Sequence, residues 1–410
     1  MHPSTESQGC APTVVARLRT TIRTRYAWVA LLLFFAICFL PDNRTAATNL
    51  YRLLVVVPML LCFRPADLRL IWRQAPARWF LLLCGWLSLT LLWDGWSHTD
   101  FKLLLRELNV LALFYLVYLV GTLHRARVPT LLTGLMVIGL SGAALILADW
   151  PDWKQHALAA RGVFNHHVTV GWALAMVAIV ALHQTLNMTR RGLACACGCA
   201  ALALGMLVFW VQARGAYVVL GTGTLLLLAM FPGRRAAILA IATAALTLLL
   251  ALIFWQELTL VADHVVERGT SGRLPIWHNG WEAVTDSWRR LWFGHGLSVD
   301  SENSNGDIVA RHYHNLLLNQ AFYAGLLGVV LYLGWLASLL RAAVRERRLW
   351  LWGALVLAMQ FGFITDGDRL FVNPSAMLLA FLLPAFLLGF RVPVPVREDT
   401  ASARAAASVA

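Results

Sequence analysis

Charged residues are scarce in this 410-residue chain, and lysine is almost absent. Only 13% of the residues are charged, 59% are apolar, and Lys102 and Lys154 are the only lysines. A soluble protein of this length could not hide so much apolar surface, so the composition predicts an all-α polytopic membrane protein. A net charge of +13 would suggest a nucleic-acid partner in a soluble protein. Here the basic residues concentrate on one predicted side of the membrane, so we expect no nucleic-acid partner.

Several patterns that support other functions are also missing. The seven cysteines lie in the N-terminal tail or in apolar runs, so no exported loop carries a disulfide framework. No Walker-type loop is present, which argues against ATP as a substrate. No H-E-x-x-H spacing occurs, and His312 and His314, two positions apart, would not share one helix face. We therefore expect neither a metal site nor a cofactor.

Long apolar runs divide the chain into about twelve predicted transmembrane helices. They fall near 26–40, 50–63, 78–93, 102–120, 131–148, 168–186, 193–210, 215–231, 236–256, 315–340, 349–365 and 371–390. Several are shorter than the roughly 20 residues that a span needs, so flanking polar residues must complete them. The predicted organisation is nine spans over 1–256, a polar loop over 257–314, three spans over 315–390 and a tail over 391–410.

Arginine is distributed unevenly between the two predicted sides. It concentrates in the tails and in the loops near 64–78, 121–130, 187–192, 232–235 and 341–348, whereas most acidic residues lie on the other side. The positive-inside rule then places both termini in the cytoplasm and the 257–314 loop on the external side of the membrane. A twelve-span transporter is the alternative, but transporters place ionisable residues at mid-membrane, where this chain has almost none.

The 257–314 loop is polar, aromatic and rich in arginine and histidine. Within it, five residues recur at helical steps of four, three, four and three: Trp277, Trp281, Val284, Trp288 and Leu291. This stripe predicts one amphipathic helix lying on the membrane surface, because tryptophan favours the interface. A soluble helix packing on its own loop is the alternative. Gly294-His295-Gly296 is expected to end the helix.

Arginines on the external side are the first candidates for chemistry, because the positive-inside rule disfavours arginine there. Arg214 lies in a very short loop between two spans, Arg161 directly precedes a span, and Arg273 opens the tryptophan-striped helix. Each could instead be a membrane anchor or a solvated loop charge.

Histidine supplies the candidate general base. His312 and His314 lie in the segment 311–315, which directly precedes the tenth predicted span, and His314 is the preferred base. A capping or interfacial histidine is the alternative. A short cluster of charged residues on the external side is a weaker candidate for a functional role: Asp366, Asp368 and Arg369.

These residue types suit one class of reaction. An enzyme outside the cytoplasm has no ATP, so its substrate must arrive activated, as a sugar linked to a lipid pyrophosphate does. The pyrophosphate leaving group gains negative charge, which arginine side chains can neutralise through bidentate hydrogen bonds without a metal ion. The incoming hydroxyl group also needs a base to accept its proton.

Four short motifs together resemble the O-antigen ligase and polymerase superfamily, whose fold is GT-C-like. They are Ser271-Gly272-Arg273 followed by Trp277, Gly294-x-Gly296, His314-Asn315-x-x-Leu318, and Gly325-x-x-Gly328. Arg214 in its short loop also matches the ligase pattern. The resemblance implies transfer of a glycan from undecaprenyl pyrophosphate to lipid A–core on the periplasmic face of a bacterial inner membrane, without metal. It further implies that Arg214 and Arg273 bind the pyrophosphate and that His314 is the catalytic base.

The remaining expectations concern substrate binding and the choice among related reactions. Arg161, Arg311, His312, Asn315 and Trp277 are expected to line the substrate site, and the choice of base between His312 and His314 stays open. A polymerase that extends the glycan is the main alternative, although polymerases of this superfamily typically carry two large external loops. A protein-directed oligosaccharyltransferase usually carries a larger C-terminal periplasmic domain.

Overall fold

The chain forms a bundle of apolar helices. The structure is a computed structural model, and it describes residues 14–93, 98–149, 162–164, 166–211, 213–231, 233–241, 273–299, 303–305, 308–310, 312–367 and 369–396. The helices are α1 (Val14–Phe39), α2 (Arg44–Cys62), α3 (Pro65–Trp72), α4 (Ala75–Thr90), α5 (His98–Leu123), α6 (Val128–Ala148), α7 (His167–Asn187), α8 (Arg191–Trp210), α9 (Arg214–Met230), α10 (Arg273–Thr285), α11 (Trp288–Phe293), α12 (Leu316–Arg345), α13 (Trp350–Thr365) and α14 (Met377–Gly389). Strands β1 (Asn303–Asn305) and β2 (Ile308–Ala310) pair antiparallel.

The helices follow the predicted apolar runs closely. Within the described ranges, seven helices are long and apolar enough to cross a membrane: α1, α2, α5, α6 with the short turn before it, α7, α8 and α12. Helices α9 and α14 are shorter and apolar. Residues 234–241 are helical at the start of the ninth predicted run, whose remainder lies outside the described residues. The polytopic membrane class is therefore confirmed, while the number of twelve spans stays a prediction.

Helix α7 lies at the centre of the bundle. Its most apolar window is 94% buried inside the protein, against 22% for the neighbouring α8. An aromatic cluster joins four other helices beside it. Phe80 of α4 lies 5.0 Å from Phe114 of α5, 5.1 Å from Trp335 of α12 and 4.8 Å from Phe386 of α14, measured between ring centroids. This packing fixes α12, whose N-terminal end carries the candidate histidines.

Two glycines allow α11 and α12 to touch through their backbones. Gly325 interrupts α12 with φ = 66°, and Gly294 ends α11 with φ = 75°. A Cβ on Gly294 would lie 2.5 Å from the backbone of Tyr323, so no larger residue fits. The Phe322 and Tyr323 carbonyls at this break accept hydrogen bonds from the backbone N–H groups of residues 295 and 296, at 2.8 and 3.0 Å. The motifs Gly294-x-Gly296 and Gly325-x-x-Gly328 are therefore in direct contact.

The predicted single tryptophan-striped helix is wrong, because it is two helices. α10 ends at Thr285, and Ser287 caps α11 by accepting a hydrogen bond from the backbone N–H of Arg290. The predicted stripe does not share one face: Val284 is buried, whereas Trp281 and Trp288 are 54% and 73% exposed. The predicted stop at Gly294 is confirmed. A position on the membrane surface stays a prediction.

Candidate active site

Five helix ends converge at one end of the bundle. α7, α9, α10 and α12 begin there, and α13 ends there. Three of these ends pack directly on one another: a Cβ on Gly362 in the last turn of α13 would lie 3.4 Å from Nε1 of Trp172 in α7 and 3.7 Å from the carbonyl oxygen of Gly215 in α9. Helix N-termini carry partial positive charge, so four of them around one place favour an anion.

A histidine and a carboxylate are hydrogen-bonded at the centre of this convergence. Nδ1 of His314 lies 2.8 Å from Oδ1 of Asp366, the residue that follows α13. Burial alone would raise the pKa of Asp366, but the hydrogen bond from His314 and the charges of His314, His312 and His166 outweigh it, and the pKa lies below its usual value. An ionised carboxylate can only accept, so His314 donates through Nδ1. Its Nε2 is then the proton-accepting atom in the neutral ring.

Neighbouring residues hold this pair in place. Asn319 accepts a hydrogen bond from the backbone N–H of Tyr313 at 3.1 Å and donates to the carbonyl of Gly367 at 2.5 Å. One buried side chain thus ties the residue before His314 to the residue after Asp366. Trp277 of α10 adds a third tie, because its Nε1 donates to the Tyr313 carbonyl at 2.9 Å. His314 itself adopts φ = 51°, a strained conformation for a residue other than glycine, which these contacts enforce.

His312 lies against His314 with the opposite hydrogen-bonding role. The two ring centroids are 4.1 Å apart, and the backbone N–H of His314 donates to Nδ1 of His312 at 3.2 Å. Because Nδ1 accepts, the neutral ring of His312 carries its proton on Nε2. His312 is therefore a donor where His314 is an acceptor, so the geometry favours His314 as the base.

His312 and His314 lie outside any helix, so their predicted placement on different helix faces has no bearing on a metal site here. Both residues precede α12 rather than lying on it, so the helix-face rule does not apply, and the turn at His314 folds the rings together. Potential ligand atoms of His312, His314 and Asp366 lie within 4.8 Å of one another, close enough for a metal ion. The hydrogen bonds suit an acid–base cluster better, since a ligating Nε2 on His312 would require the other tautomer.

The candidate arginines occupy helix starts at this same end. Arg214 is the first residue of α9, with three residues between it and the end of α8, and Arg273 is the first described residue of α10; both are half-buried. Arg273 lies one turn before Trp277, which contacts the His314 segment. Arg161 and Arg311 lie outside the described residues.

Two expected substrate-binding residues have structural contacts in the protein. Asn315 caps α12 by accepting from the backbone N–H of Leu318 at 3.1 Å, and Trp277 donates to the Tyr313 carbonyl. Both contacts position His314. Substrate contacts by Asn315 and Trp277 stay predictions.

Sequence reasoning gave too little weight to Asp366 and overlooked Asn319. The available signal for Asp366 was its place directly after an apolar run, on the same predicted side as His314. Arg369, from the same short cluster, has a structural contact: it donates to the Tyr323 hydroxyl at 3.0 Å and lies 4.4 Å from that ring's centroid. Asp368 lies outside the described residues.

One family model matches the chain. Residues 199–333 match Wzy_C, the O-antigen ligase family. The match contains Arg214, Arg273, His312 and His314, and it ends before Asp366. No curated protein matches the chain. Over residues 199–333 the chain is therefore similar to the O-antigen ligase family, and the helical membrane fold and the ordered motifs agree with this match.

Proposed function

We propose that this protein is an O-antigen ligase that transfers a glycan from undecaprenyl pyrophosphate to lipid A–core at the periplasmic face of the inner membrane. The observation that carries the proposal is the 2.8 Å hydrogen bond between His314 and Asp366, which leaves Nε2 of His314 as a base at the convergence of four helix N-termini. A hydroxyl acceptor needs such a base, and a pyrophosphate leaving group needs positive charge.

Glycan transfer forms one bond at the anomeric carbon and breaks another. The acceptor hydroxyl oxygen forms a bond to the anomeric carbon of the glycan, and the bond from that carbon to the pyrophosphate oxygen breaks. The electron pair leaves with undecaprenyl pyrophosphate, whose added charge Arg214 and Arg273 bind. The hydroxyl proton passes to Nε2 of His314, and Asp366 stabilises the resulting imidazolium. His312 donates through Nε2–H to a substrate oxygen.

Reconstitution tests the proposal and separates it from polymerisation. The purified protein in liposomes receives undecaprenyl-pyrophosphate-linked glycan, with lipid A–core in one sample and without it in another. We expect glycan on lipid A–core in the first sample and no extended glycan in the second. Extension of the lipid-linked glycan without lipid A–core would identify a polymerase instead, and no transfer in either sample would overturn the proposed function.

Replacing either arginine by lysine should cost most of the activity. Arg214→Lys and Arg273→Lys keep the charge but lose the two-pronged fork that matches phosphate oxygens, so each should lower the transfer rate by at least about tenfold. Arg289→Lys, an exposed arginine on α11, is the matched control. The rates are compared at equal amounts of protein in the membrane. Normal rates in both Arg214→Lys and Arg273→Lys would show that these residues are topology anchors.

Removal of divalent cations should leave transfer intact. Arginines and helix N-termini supply the positive charge, so exhaustive chelation should not change the rate. The measurement is transfer after chelation, with and without added divalent ion. Loss of activity that a divalent ion restores would instead assign the cluster of His312, His314 and Asp366 to a metal.

A further inference from the structure

A third histidine lies beside the pair of His314 and Asp366. His166 is the N-cap of α7, where its Nδ1 accepts a hydrogen bond from the backbone N–H of Val168 at 3.4 Å. In the neutral ring the proton is therefore on Nε2, at the edge away from the helix. The residue is exposed, and its ring packs on His167 with centroids 4.0 Å apart. His166 thus presents a donor to the solvent side of the site.

Helix packing places His166 at the same end of the bundle as Arg214 and the pair of His314 and Asp366. α7 runs inward from this end while α13 runs outward to it, and Trp172 of α7 faces Gly362 of α13. One helical turn further towards this end, α13 is followed by Asp366. On α7, the N-cap His166 lies on the same side of the contact. The charge of His166 reaches the Asp366 carboxyl and contributes to lowering its pKa.

The start of α7 also packs on the start of α9. A Cβ on Gly171 would overlap Ala216 and lie 3.1 Å from Val211. Ala216 is two residues after Arg214, so the N-terminal turns of α7 and α9, which follow His166 and begin at Arg214, are neighbours. A donor whose anomeric carbon lies near His314 and whose pyrophosphate lies near Arg214 would lie at the end of the bundle that carries His166.

We propose that His166 binds the diphosphate group of the lipid-linked donor, an inference that rests on the proposed function. The chemistry fits because Nε2–H can only donate, and phosphate oxygens are acceptors that gain from each charge-assisted donor. His166 lies outside the family-model match and carries no role in the transfer of the proton. Its effect should therefore fall on donor binding rather than on the chemical step.

His166→Asn separates the contribution of the imidazole ring from that of the helix N-cap. Asparagine is among the best N-cap residues, so this variant keeps the start of α7 and removes Nε2–H. His278→Asn is the control, because His278 is an exposed histidine on α10. The measurement is the affinity of the full-length protein in detergent for inorganic pyrophosphate, by titration calorimetry, together with the KM for the lipid-linked glycan in liposomes.

We expect His166→Asn to raise the Kd for pyrophosphate and the KM for the donor by about tenfold, with kcat nearly unchanged and His278→Asn like the wild type. His166→Ala should show the same loss of affinity and, in addition, a lower unfolding temperature, because it also loses the cap. Unchanged affinity and KM in His166→Asn would overturn the inference while leaving wild-type transfer intact. Absence of pyrophosphate binding by the wild type would overturn it as well. Absence of transfer by the wild type would instead overturn the proposed function.

Discussion

Replacing His314 by alanine should lower glycan transfer by roughly 10²- to 10⁴-fold, the usual contribution of a general base. The structure gives the reason: Nδ1 is bound to Asp366, so Nε2 is the atom that accepts the hydroxyl proton. Donor binding should survive, because it belongs to the arginines and the helix N-termini. The measurement is the single-turnover transfer rate beside the affinity for undecaprenyl pyrophosphate.

Two controls make the His314 result specific. His278→Ala removes an exposed histidine that also contacts a carboxylate, Glu282 at 3.2 Å, and should leave transfer unchanged. His312→Ala removes a donor and should cost less than His314→Ala. Full activity in His314→Ala with none in His312→Ala would show that His312 is the base. Loss of donor binding in His314→Ala would indicate a phosphate-binding histidine.

Asp366→Asn should lower transfer by about 10²- to 10³-fold while the protein still folds. The amide has nearly the shape of the carboxylate but lacks its charge, so it cannot stabilise the imidazolium that forms on proton transfer. It can also turn its NH₂ group toward Nδ1 and favour the wrong tautomer of His314. The measurement is kcat with KM for the donor, and we expect the loss in kcat.

Glu282→Gln is the matched control for Asp366→Asn. It makes the same carboxylate-to-amide change in the exposed pair of His278 and Glu282, so activity should stay at the wild-type level. Wild-type kcat in Asp366→Asn would show that the hydrogen bond to His314 has no part in the reaction.

The sequence predicted the membrane class and most helix positions because these depend on local patterns. Runs of apolar residues determine where helices can cross a membrane, and caps such as Asn315 determine where they begin. The prediction of one tryptophan-striped helix was wrong because the helical spacing of the apolar residues continues across residues 286–287. The first helix ends before these residues, and Ser287 caps a second one. Periodicity alone does not reveal a break of two residues.

The site was predicted only in part because its residues come from distant segments. Arg214, Arg273 and His314 belong to short motifs that can be read locally. Asp366 lies 52 positions beyond His314, and only the packing of α13 against α12 brings the two together. The closeness of His312 and His314 depends on the left-handed conformation of His314, which no spacing rule for a regular helix includes.

A double-mutant cycle on His314 and Asp366 tests the central claim most directly. Transfer rates are measured for the wild type, His314→Ala, Asp366→Asn and the double variant, in liposomes with lipid-linked glycan and lipid A–core. If Asp366 acts through His314, the second substitution should cost nothing once the histidine is gone, and the double variant should match His314→Ala. If the two losses multiply instead, the residues act independently, and the pair is not the base of this reaction.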